Sequence, residues 1–360
     1  MDHPVVSVTG IGVCAPWGEG AAGDGLTGLV GADLPAGAVP RPGPEGDDAA
    51  DERGTRYRDR ASDLALRAAG PALRDAGLAD ALAGGGDGAG PVGDGVATVV
   101  STGHAALENV CAAVDTIDRR SSSALSPMTA HAMSSHVVGS WVTIRYGLRG
   151  PCLTLCDGPP GGLDALYWAR NLILTRRAEA AVVIGVEPDT APVARLLGDA
   201  APRFDGAVAL VVEPREAALG RGARPYADLG GYARGAAPAQ AAAAARREPV
   251  DLWLPPETPP DAPPGTPPPD APPQAASAHA IDLAARVGRS AGALGVLQCA
   301  VAALLIDTGR ARSALAGCGG AGDAGAAALA LLAPPVPAGS AAPGPGRAQA
   351  GATTEERDPS

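Results

Sequence analysis

The side chains of this chain that could carry out covalent chemistry are few, and the first candidate is a cysteine. Cys156 ends the short apolar segment 152–156, and His136 lies upstream in the segment 134–146. A thiol beside a histidine base can attack an acyl group and hold it covalently. The pair needs its side chains within hydrogen-bond reach, which the spacing leaves open. Otherwise, Cys156 is a buried strand residue and His136 a polar residue at a subunit interface or pocket edge.

The other cysteines and histidines favour structural roles. None of the six cysteines belongs to a Cys-x-x-Cys pair of the kind that binds zinc or cycles between redox states: Cys14, Cys111, Cys152, Cys156, Cys299 and Cys318. In a strand, residues four apart lie about 13 Å from each other, too far for a disulfide, so the thiols are expected to be reduced and packed like small hydrophobes. His104 follows Ser-Thr-Gly and is typical of a loop or helix cap, whereas His131 and His279 are assigned to loops and His3 to the terminus.

The remaining charged candidates also have simpler interpretations. Asp157 and Asp164 flank the segment that begins a predicted helix, and we expect them to cap it or to lie on its surface. Arg145 and Arg149 flank a predicted strand, where ion pairs are the expected role. No phosphate-binding glycine loop, metal-ligand cluster or Ser-His-Asp order is present, so neither a metal nor a cofactor is expected.

An alternation of apolar runs and helical periodicities must position these side chains. Strands are predicted at 5–13, 96–100, 152–156, 180–186, 206–213, 250–254 and 326–332, and helices at 62–76, 105–117, 134–146, 161–174 and 289–308. Segments 31–60 and 84–95 are rich in Gly and Pro and are predicted to be loops. Strands that are apolar throughout are covered on both faces, so this pattern predicts an α/β fold built in layers.

Composition narrows the possible partners. The 360 residues are 46% hydrophobic, which is enough for one large core or two moderate ones. A net charge of −11 argues against sequence-independent binding to nucleic acid or to an anionic membrane. The N-terminus lacks a signal-peptide pattern, and no apolar run is long enough to span a bilayer. We therefore expect a soluble, cytoplasmic protein.

Several motifs, taken in order, are similar to one enzyme family. Residues 150–165 read Gly-Pro-Cys-Leu-Thr-Leu-Cys-Asp-Gly-Pro-Pro-Gly-Gly-Leu-Asp-Ala. Further landmarks are Val-Thr-Gly-Ile-Gly-Val at 8–13, Ala-Ala-Val-Val-Ile-Gly-Val-Glu-Pro at 180–188, Asp-Gly-Ala-Val-Ala-Leu-Val-Val-Glu-Pro at 205–214 and Gly-Cys-Gly-Gly at 317–320. Over about residues 4–333 the chain resembles the β-ketoacyl synthases.

This resemblance implies a thiolase-like αβαβα layered fold made of two pseudo-repeated halves. We assign residues 1–217 to the N-terminal half, 218–333 to the C-terminal half and 334–360 to a disordered tail. Members of the family pair as dimers. Their active forms use a cysteine that accepts the acyl group and two histidines that assist decarboxylation of the malonyl thioester.

In this chain, all three of those positions are predicted to be vacated. An alignment without gaps places Pro159 at the cysteine position. The first histidine belongs near Pro256, at the start of a segment with 11 prolines in residues 255–273, and the second falls on Arg289. Cys318 also replaces the phenylalanine of the family's Gly-Phe-Gly-Gly loop. The resemblance thus implies a ketosynthase scaffold without its Cys-His-His site, in which the glycines after Pro159 permit close helix packing.

Three functions fit this pattern. The leading hypothesis is a subunit that is not an enzyme by itself. It would resemble the chain length factors of type II polyketide synthases and partner an active ketosynthase and an acyl carrier protein in bacterial polyketide or fatty-acyl biosynthesis. The second is a divergent synthase or acyltransferase that uses Cys156. The third is a homodimer that binds an acyl chain or an acyl carrier protein without turnover.

Overall fold

A computed structural model describes residues 4–21, 26, 29, 58–83, 91–197, 202–258, 271–320 and 325–335. Up to residue 214 its elements are β1 (Val6–Ala15), β2 (Gly18–Ala21), α1 (Arg60–Asp75), α2 (Ala79–Ala83), α3 (Pro91–Asp94), β3 (Val96–Ser101), α4 (Leu107–Arg119), α5 (Pro127–Ala132), α6 (Val137–Tyr146), β4 (Cys152–Leu155), α7 (Gly161–Leu174), β5 (Ala180–Glu187), α8 (Ala191–Leu197) and β6 (Gly206–Pro214). The elements that follow are α9 (Arg215–Gly220), β7 (Ala227–Gly235), α10 (Pro238–Ala245), β8 (Leu252–Leu254), β9 (His279–Ala280), α11 (Leu283–Val287), α12 (Leu294–Asp307), β10 (Ser313–Gly320) and β11 (Gly325–Leu332).

The strand order repeats itself. The sheet runs β4-β3-β5-β6-β1-β7-β11-β10-β8-β9, with β2 beside β1. In the first half β1, β6 and β5 pair antiparallel, while β5, β3 and β4 pair parallel. In the second half β7, β11, β10, β8 and β9 pair in the same directions. The two halves join through two antiparallel residue pairs between β1 and β7. The predicted α/β fold of two pseudo-repeated halves is therefore confirmed.

Helices cover both faces of the strands, which explains why the strands are apolar throughout. Along β5, Val183 packs into the core around α7 and α12, while its neighbour Ile184 packs into the core around α1 and α6. A third core joins α10 to the strands of the second half. The order of layers is thus α1 and α6, the first half-sheet, α7 and α12, the second half-sheet, and α10.

The two central helices touch through glycines. A Cβ atom on Gly162 of α7 would lie 2.8 Å from the backbone nitrogen of Gly295 in α12. A Cβ atom on Gly295 would in turn lie 2.5 Å from the backbone nitrogen of Leu163. A side chain at either position would have to push the helices apart, so the prediction of close helix packing after Pro159 is confirmed for Gly162.

Two predicted elements differ from the observed ones. The helix predicted at 289–308 begins only at Leu294, because the backbone of Arg289 is already engaged: its N–H donates to the Pro202 carbonyl at 2.9 Å and its carbonyl accepts from Phe204 at 2.9 Å. The Gly-Cys-Gly-Gly motif at 317–320 is the end of β10, paired with β11, and not a loop.

Other predictions fall partly outside the described residues, namely the loops at 31–60 and 84–95, most of the proline-rich segment and the tail beyond residue 335. The boundaries proposed for the two halves remain a prediction. Within the part of the chain that the structure describes, no helix is both long and apolar enough to cross a membrane.

Candidate active site and subunit edge

A cavity of about 300 Å³ lies where three parallel strands end. Because β3, β4 and β5 run in parallel, their carboxyl ends meet at one edge of the sheet, where α/β folds commonly bind ligands. The turns that lead into α7 and α12 close the cavity on the other side. Its lining combines charged groups with an apolar wall: Gly103, His104, Cys156, Gly158, Pro159, Glu187, Pro188, Val193, Leu197, Arg203, Phe204, Glu257, Thr258, Arg289 and Ala291.

The cavity brings together two of the three positions that were predicted to be vacated and the neighbour of the third. Pro159 and Arg289 both line it, and so does Glu257, the residue that follows Pro256. Gly158 takes a left-handed conformation with φ of 80°, which turns the chain from β4 into α7. Pro159 then offers neither a nucleophilic atom nor a backbone N–H at the start of this helix.

A buried carboxylate holds the histidine of this cavity. Glu187, at the carboxyl end of β5, has a side chain only 4% exposed and accepts a hydrogen bond from His104 Nδ1 at 2.9 Å. Its other oxygen accepts from the backbone N–H groups of Gly103 at 2.5 Å and Gly292 at 3.1 Å. The hydrogen bond that His104 donates to Glu187 raises the pKa of His104, whereas burial and the charge of Arg289 act to lower it. Because a carboxylate only accepts, Nδ1 must carry the proton, which leaves Nε2 for the cavity.

His104 does follow β3 in a loop, as expected, but the sequence interpretation missed its partner. The signal that could have found Glu187 is a single acidic residue at the carboxyl end of an otherwise continuously apolar strand, where a buried charge must be bonded.

A second carboxylate, only partly buried, holds the arginine at the predicted second histidine position. Glu257 accepts from Arg289 Nε at 3.3 Å and from the backbone N–H of Ser290 at 3.1 Å. Burial raises the pKa of Glu257. An arginine guanidinium has hydrogen-bond donors and no acceptor, so Arg289 cannot serve as a base, and this corner of the cavity contributes charge and hydrogen bonds rather than proton transfer.

The structure corrects the expectation for Cys156. The side chain is exposed and lines the cavity, rather than being buried in the strand, because β4 is an edge strand whose residues are themselves exposed or half-buried. Cys152 is exposed as well, whereas Cys14, Cys299 and Cys318 are buried, as expected of small hydrophobes.

The pairing of Cys156 with His136, which the spacing left open, is not found. His136 does not line the cavity; it shares a hydrogen bond of 2.6 Å with Ser134, and its ring lies 5.6 Å from that of His131. In the described part of the chain, the histidine that shares the cavity with Cys156 is His104.

The expectation for Asp164 is also wrong, because α7 lies between two half-sheets and has little free surface at this position. Asp164 is buried and accepts hydrogen bonds from Tyr232 and Arg234 of β7. Burial raises its pKa to about 6, with a further contribution from a hydrogen bond shared with Asp157. Arg234 also bonds Asp157, at 3.0 Å. The two aspartates thus form one cluster, rather than a cap and a surface residue.

The remaining candidates take structural positions. Arg149 forms an ion pair with Asp94, 3.5 Å between nitrogen and oxygen, as expected of it. Arg145 lies in the last turn of α6, and His279 is in the short edge strand β9 rather than in a loop. His3 lies outside the described residues. Among those residues, no group of three or more His, Cys, Asp or Glu side chains could hold a metal ion.

Strand β4 forms one edge of the sheet and is bonded to a neighbouring strand on one side. The carbonyls of Pro151 and Leu155 accept from β3 at 2.9 and 3.1 Å. Since backbone groups alternate along a strand, those of Cys152 and Thr154 point away from β3. Among the residues that the structure describes, the Thr154 hydroxyl and the indole N–H of Trp141 in α6 are buried and find no hydrogen-bond partner.

Known sequences relate this chain to enzymes of polyketide synthesis. Residues 45–204 match the sequence model of the N-terminal domain of β-ketoacyl synthases. The polyketide β-ketoacyl synthase 1 of Streptomyces cyaneus is 29% identical over 134 residues, which cover 31% of this chain and 32% of that protein. The granaticin polyketide β-ketoacyl synthase 1 of Streptomyces violaceoruber is 33% identical over 135 residues, covering 30% and 32%. The chain thus spans about a third of the length of these curated relatives.

Solved structures share the fold over nearly the whole chain. The ishigamide ketosynthase/chain length factor superimposes with a TM-score of 0.68 at 21% identity, covering 91% of this chain and 99% of that one. A type II polyketide synthase acyl-carrier protein in complex with its ketosynthase gives 0.72 at 18% identity, covering 92% and 100%. A β-ketoacyl synthase from Burkholderia phymatum gives 0.67 at 16% identity, covering 92% and 100%. These similarities and the repeated layered topology give the chain the thiolase-like layered α/β fold seen in β-ketoacyl synthase structures, and residues 45–204 are similar in sequence to the N-terminal domain of those enzymes.

Proposed function

We propose that this chain is a non-catalytic partner subunit, of the chain-length-factor type, for an active ketosynthase in bacterial polyketide or fatty-acyl biosynthesis. The observation that carries the proposal is the cavity in which Pro159, Arg289 and the residue after Pro256 meet. On this proposal the cavity corresponds to the place of the family's chemistry, and it supports a non-catalytic role because the proline and arginine side chains there cannot attack a thioester or accept a proton.

The open edge of β4 supports the partner role. Cys152 and Thr154 direct backbone N–H and C=O groups away from the sheet, and such an edge is a template for a strand of another chain. An incoming strand would also extend the sheet next to α6, where Trp141 and Thr154 each keep a buried polar atom that has no partner in the described part of the chain. The similarity to a ketosynthase/chain length factor structure is consistent with a ketosynthase as the source of that strand.

The proposal is tested by co-expression with a ketosynthase encoded beside this chain and by size-exclusion chromatography with mass determination. A stable heterodimer is expected. With an acyl carrier protein and a malonyl donor, the heterodimer should form a carbon–carbon bond and this chain alone should not. A homodimer with condensing activity of its own would contradict the proposal, and an inactive homodimer that binds the carrier protein would favour the third hypothesis.

Two variants of one edge residue test where the partner binds. Thr154→Pro removes an outward N–H while the bonds of Pro151 and Leu155 to β3 remain, so pairing should weaken by at least about tenfold, in line with the ~1.4 kcal/mol expected of a lost hydrogen bond. Thr154→Val keeps the N–H and the side-chain shape and serves as the matched control, because the hydroxyl it removes has no partner. Equal affinity for both variants would place the interface elsewhere.

A further inference from the structure

Two aspartates next to the cavity share one arginine. Asp157 lies in the turn between β4 and α7, and Asp164 lies within α7. Nη2 of Arg234 in β7 donates to Asp164 Oδ2 at 2.5 Å and to Asp157 Oδ2 at 3.0 Å, and its Nε donates to Asp164 Oδ1 at 3.1 Å. When both carboxyl groups are ionised, these three side chains hold two negative charges and one positive charge.

One proton on the aspartate pair removes this imbalance. The Asp164 side chain is only 6% exposed, and Asp157 Oδ1 is buried and finds no hydrogen-bond donor among the described residues. Ionised carboxylates that are this close repel each other, and a proton held between them supplies the missing donor. Burial, followed by the hydrogen bond shared with Asp157, raises the pKa of Asp164 to about 6, in agreement with this arrangement.

The titratable and charged groups that face the pair from the neighbouring strands change charge at higher pH. Burial raises the pKa of Tyr232 in β7, whose hydroxyl donates to Asp164 Oδ1. Burial, and then nearby charges that include Asp164, raise the pKa of Cys318 in β10. For Arg234, burial lowers the pKa and the charge of Asp164 raises it, with a net rise. The proton that is exchanged near neutral pH is therefore the one on the aspartate pair.

The turn is the part of this cluster that can move. The Asp157 side chain is 32% exposed, so water can hydrate it when it is ionised, whereas Asp164 is held inside α7 between the half-sheets. Gly158, with φ of 80°, follows Asp157 directly and lets the chain bend there. A Cβ atom on Gly161 would lie 2.5 Å from Asp157 Oδ1, so the carboxyl group packs against α7 without a bond to hold this oxygen.

We propose that the Asp157–Asp164 pair is a pH-sensitive switch that fixes or releases one wall of the cavity. While the pair keeps a proton, Asp157 stays in the cluster and the turn is closed. When the proton leaves, the two carboxylates repel and Asp157 moves towards solvent. The residues on either side of it, Cys156 and Gly158, line the cavity and move with it. The switch acts on the shape of the cavity, and it does not depend on the proposed partner role.

The pH dependence of turn opening follows from proton binding. The closed pair binds its proton with a pKa of about 6, whereas a separated and hydrated aspartate binds one near the ordinary value of 3.8. Between these values the closed turn keeps a proton that the open turn has released, so the open fraction rises about tenfold per pH unit. Closure is therefore favoured fully below about pH 4, is lost as the pH rises through about 6, and changes no further above that.

Hydrogen–deuterium exchange of the purified full chain tests the switch. The Gly161 N–H donates to the Gly158 carbonyl at 3.0 Å and thus reports whether the turn is closed. Exchange is followed by mass spectrometry on the peptide that covers residues 156–163 and is corrected for the pH dependence of the intrinsic exchange rate. Protection of this peptide should fall about tenfold between about pH 5 and pH 7.

Variants of the turn show whether Asp157 is the group that moves. Asp157→Asn keeps the shape of the side chain, cannot ionise and offers an amide donor to Asp164, so the turn should stay protected at both pH values. Asp157→Ala removes the bond to Arg234 and should be open at both. Asp118→Asn changes an exposed carboxyl of α4 and should behave like the original protein. His104→Gln removes a cavity histidine whose pKa is raised by its bond to Glu187, and it should also keep the change with pH.

A shift of the midpoint separates titration of the pair from a general loosening of the turn. Against the effect of burial, the hydrogen bond from Tyr232 lowers the pKa of Asp164, so Tyr232→Phe should move the midpoint of the change to higher pH. Phenylalanine keeps the ring that stacks on Tyr167, 4.3 Å between centroids. Protection that is constant with pH in the original protein, a change of the same size in Asp157→Asn, or an unshifted midpoint in Tyr232→Phe would each overturn the inference.

Discussion

Asp164 should make the stability of this protein fall as the pH rises, which is the reverse of the usual behaviour of an ion-paired carboxylate. Its pKa is raised from the ordinary value of 3.8 to about 6, first by burial and then by the hydrogen bond shared with Asp157. Between these pH values the folded chain holds a proton that the unfolded chain has released. The contribution of Asp164 is therefore fully present below about pH 4 and is lost as the pH rises through about 6.

The magnitude follows from the difference between the two pKa values. At about 1.4 kcal/mol per pH unit, a rise to about 6 corresponds to about 3 kcal/mol in the free energy of unfolding. The Asp164 side chain is only 6% exposed, so solvent screens this effect little. Most of the change, about 2 to 3 kcal/mol, should occur between about pH 4 and pH 7.

The perturbation is Asp164→Asn, which keeps the shape of the side chain and removes its titration. Urea unfolding followed by tryptophan fluorescence gives the free energy of unfolding of both proteins across that pH range. The stability of the original protein relative to the variant should fall by about 2 to 3 kcal/mol with rising pH. Other carboxyls whose pKa values are raised, including that of Glu257, are present in both proteins and cancel. A difference that is constant with pH, or that grows, would refute the reasoning.

Three further substitutions test how the core is held, each by urea unfolding near neutral pH. Gly162→Ala should cost about 1–3 kcal/mol, because its Cβ would press on the backbone of Gly295; an unchanged midpoint would show that the helices can separate freely. Gln298→Leu should cost about 1–3 kcal/mol, since the buried amide donates to three backbone carbonyls, and a neutral effect would mean that those carbonyls find other donors. Arg60→Met should cost about 3–5 kcal/mol by leaving the buried Asp205 carboxylate without its arginine, and a gain in stability would show that the pair is not needed.

The central strands and helices could be predicted from sequence because most of their residues are buried. Every residue of β5 is buried, and α7 carries apolar residues on most of its surface, so the apolar runs coincide with the elements. The start of α12 could not be predicted in this way. Its apparent helical pattern extends back to Arg289, but a backbone bridge to residues near Phe204, distant in sequence, stops the helix from starting there.

The candidate site could be predicted only in part, because it too depends on contacts between residues that are distant in sequence. Motif order identified Pro159 and Arg289 as positions of interest, and the structure brings them to one cavity. The Glu187–His104 pair joins the ends of two strands that lie far apart in sequence, so local spacing could not reveal it. The exposure of Cys156 depends on β4 lying at the edge of the sheet, which its apolar sequence does not indicate.

The two edge strands of the sheet differ in how many backbone groups they offer to a strand of another chain. At one edge, β9 is only two residues long and therefore offers few backbone groups to which another strand could bond. At the other edge, β4 (Cys152–Leu155) presents a longer row of outward backbone groups. Such a row promotes association with other chains until a strand pairs with it. If a ketosynthase supplies that strand, the timing and ratio of synthesis of the two chains control solubility, and excess copies of this chain become substrates for aggregation and proteolysis.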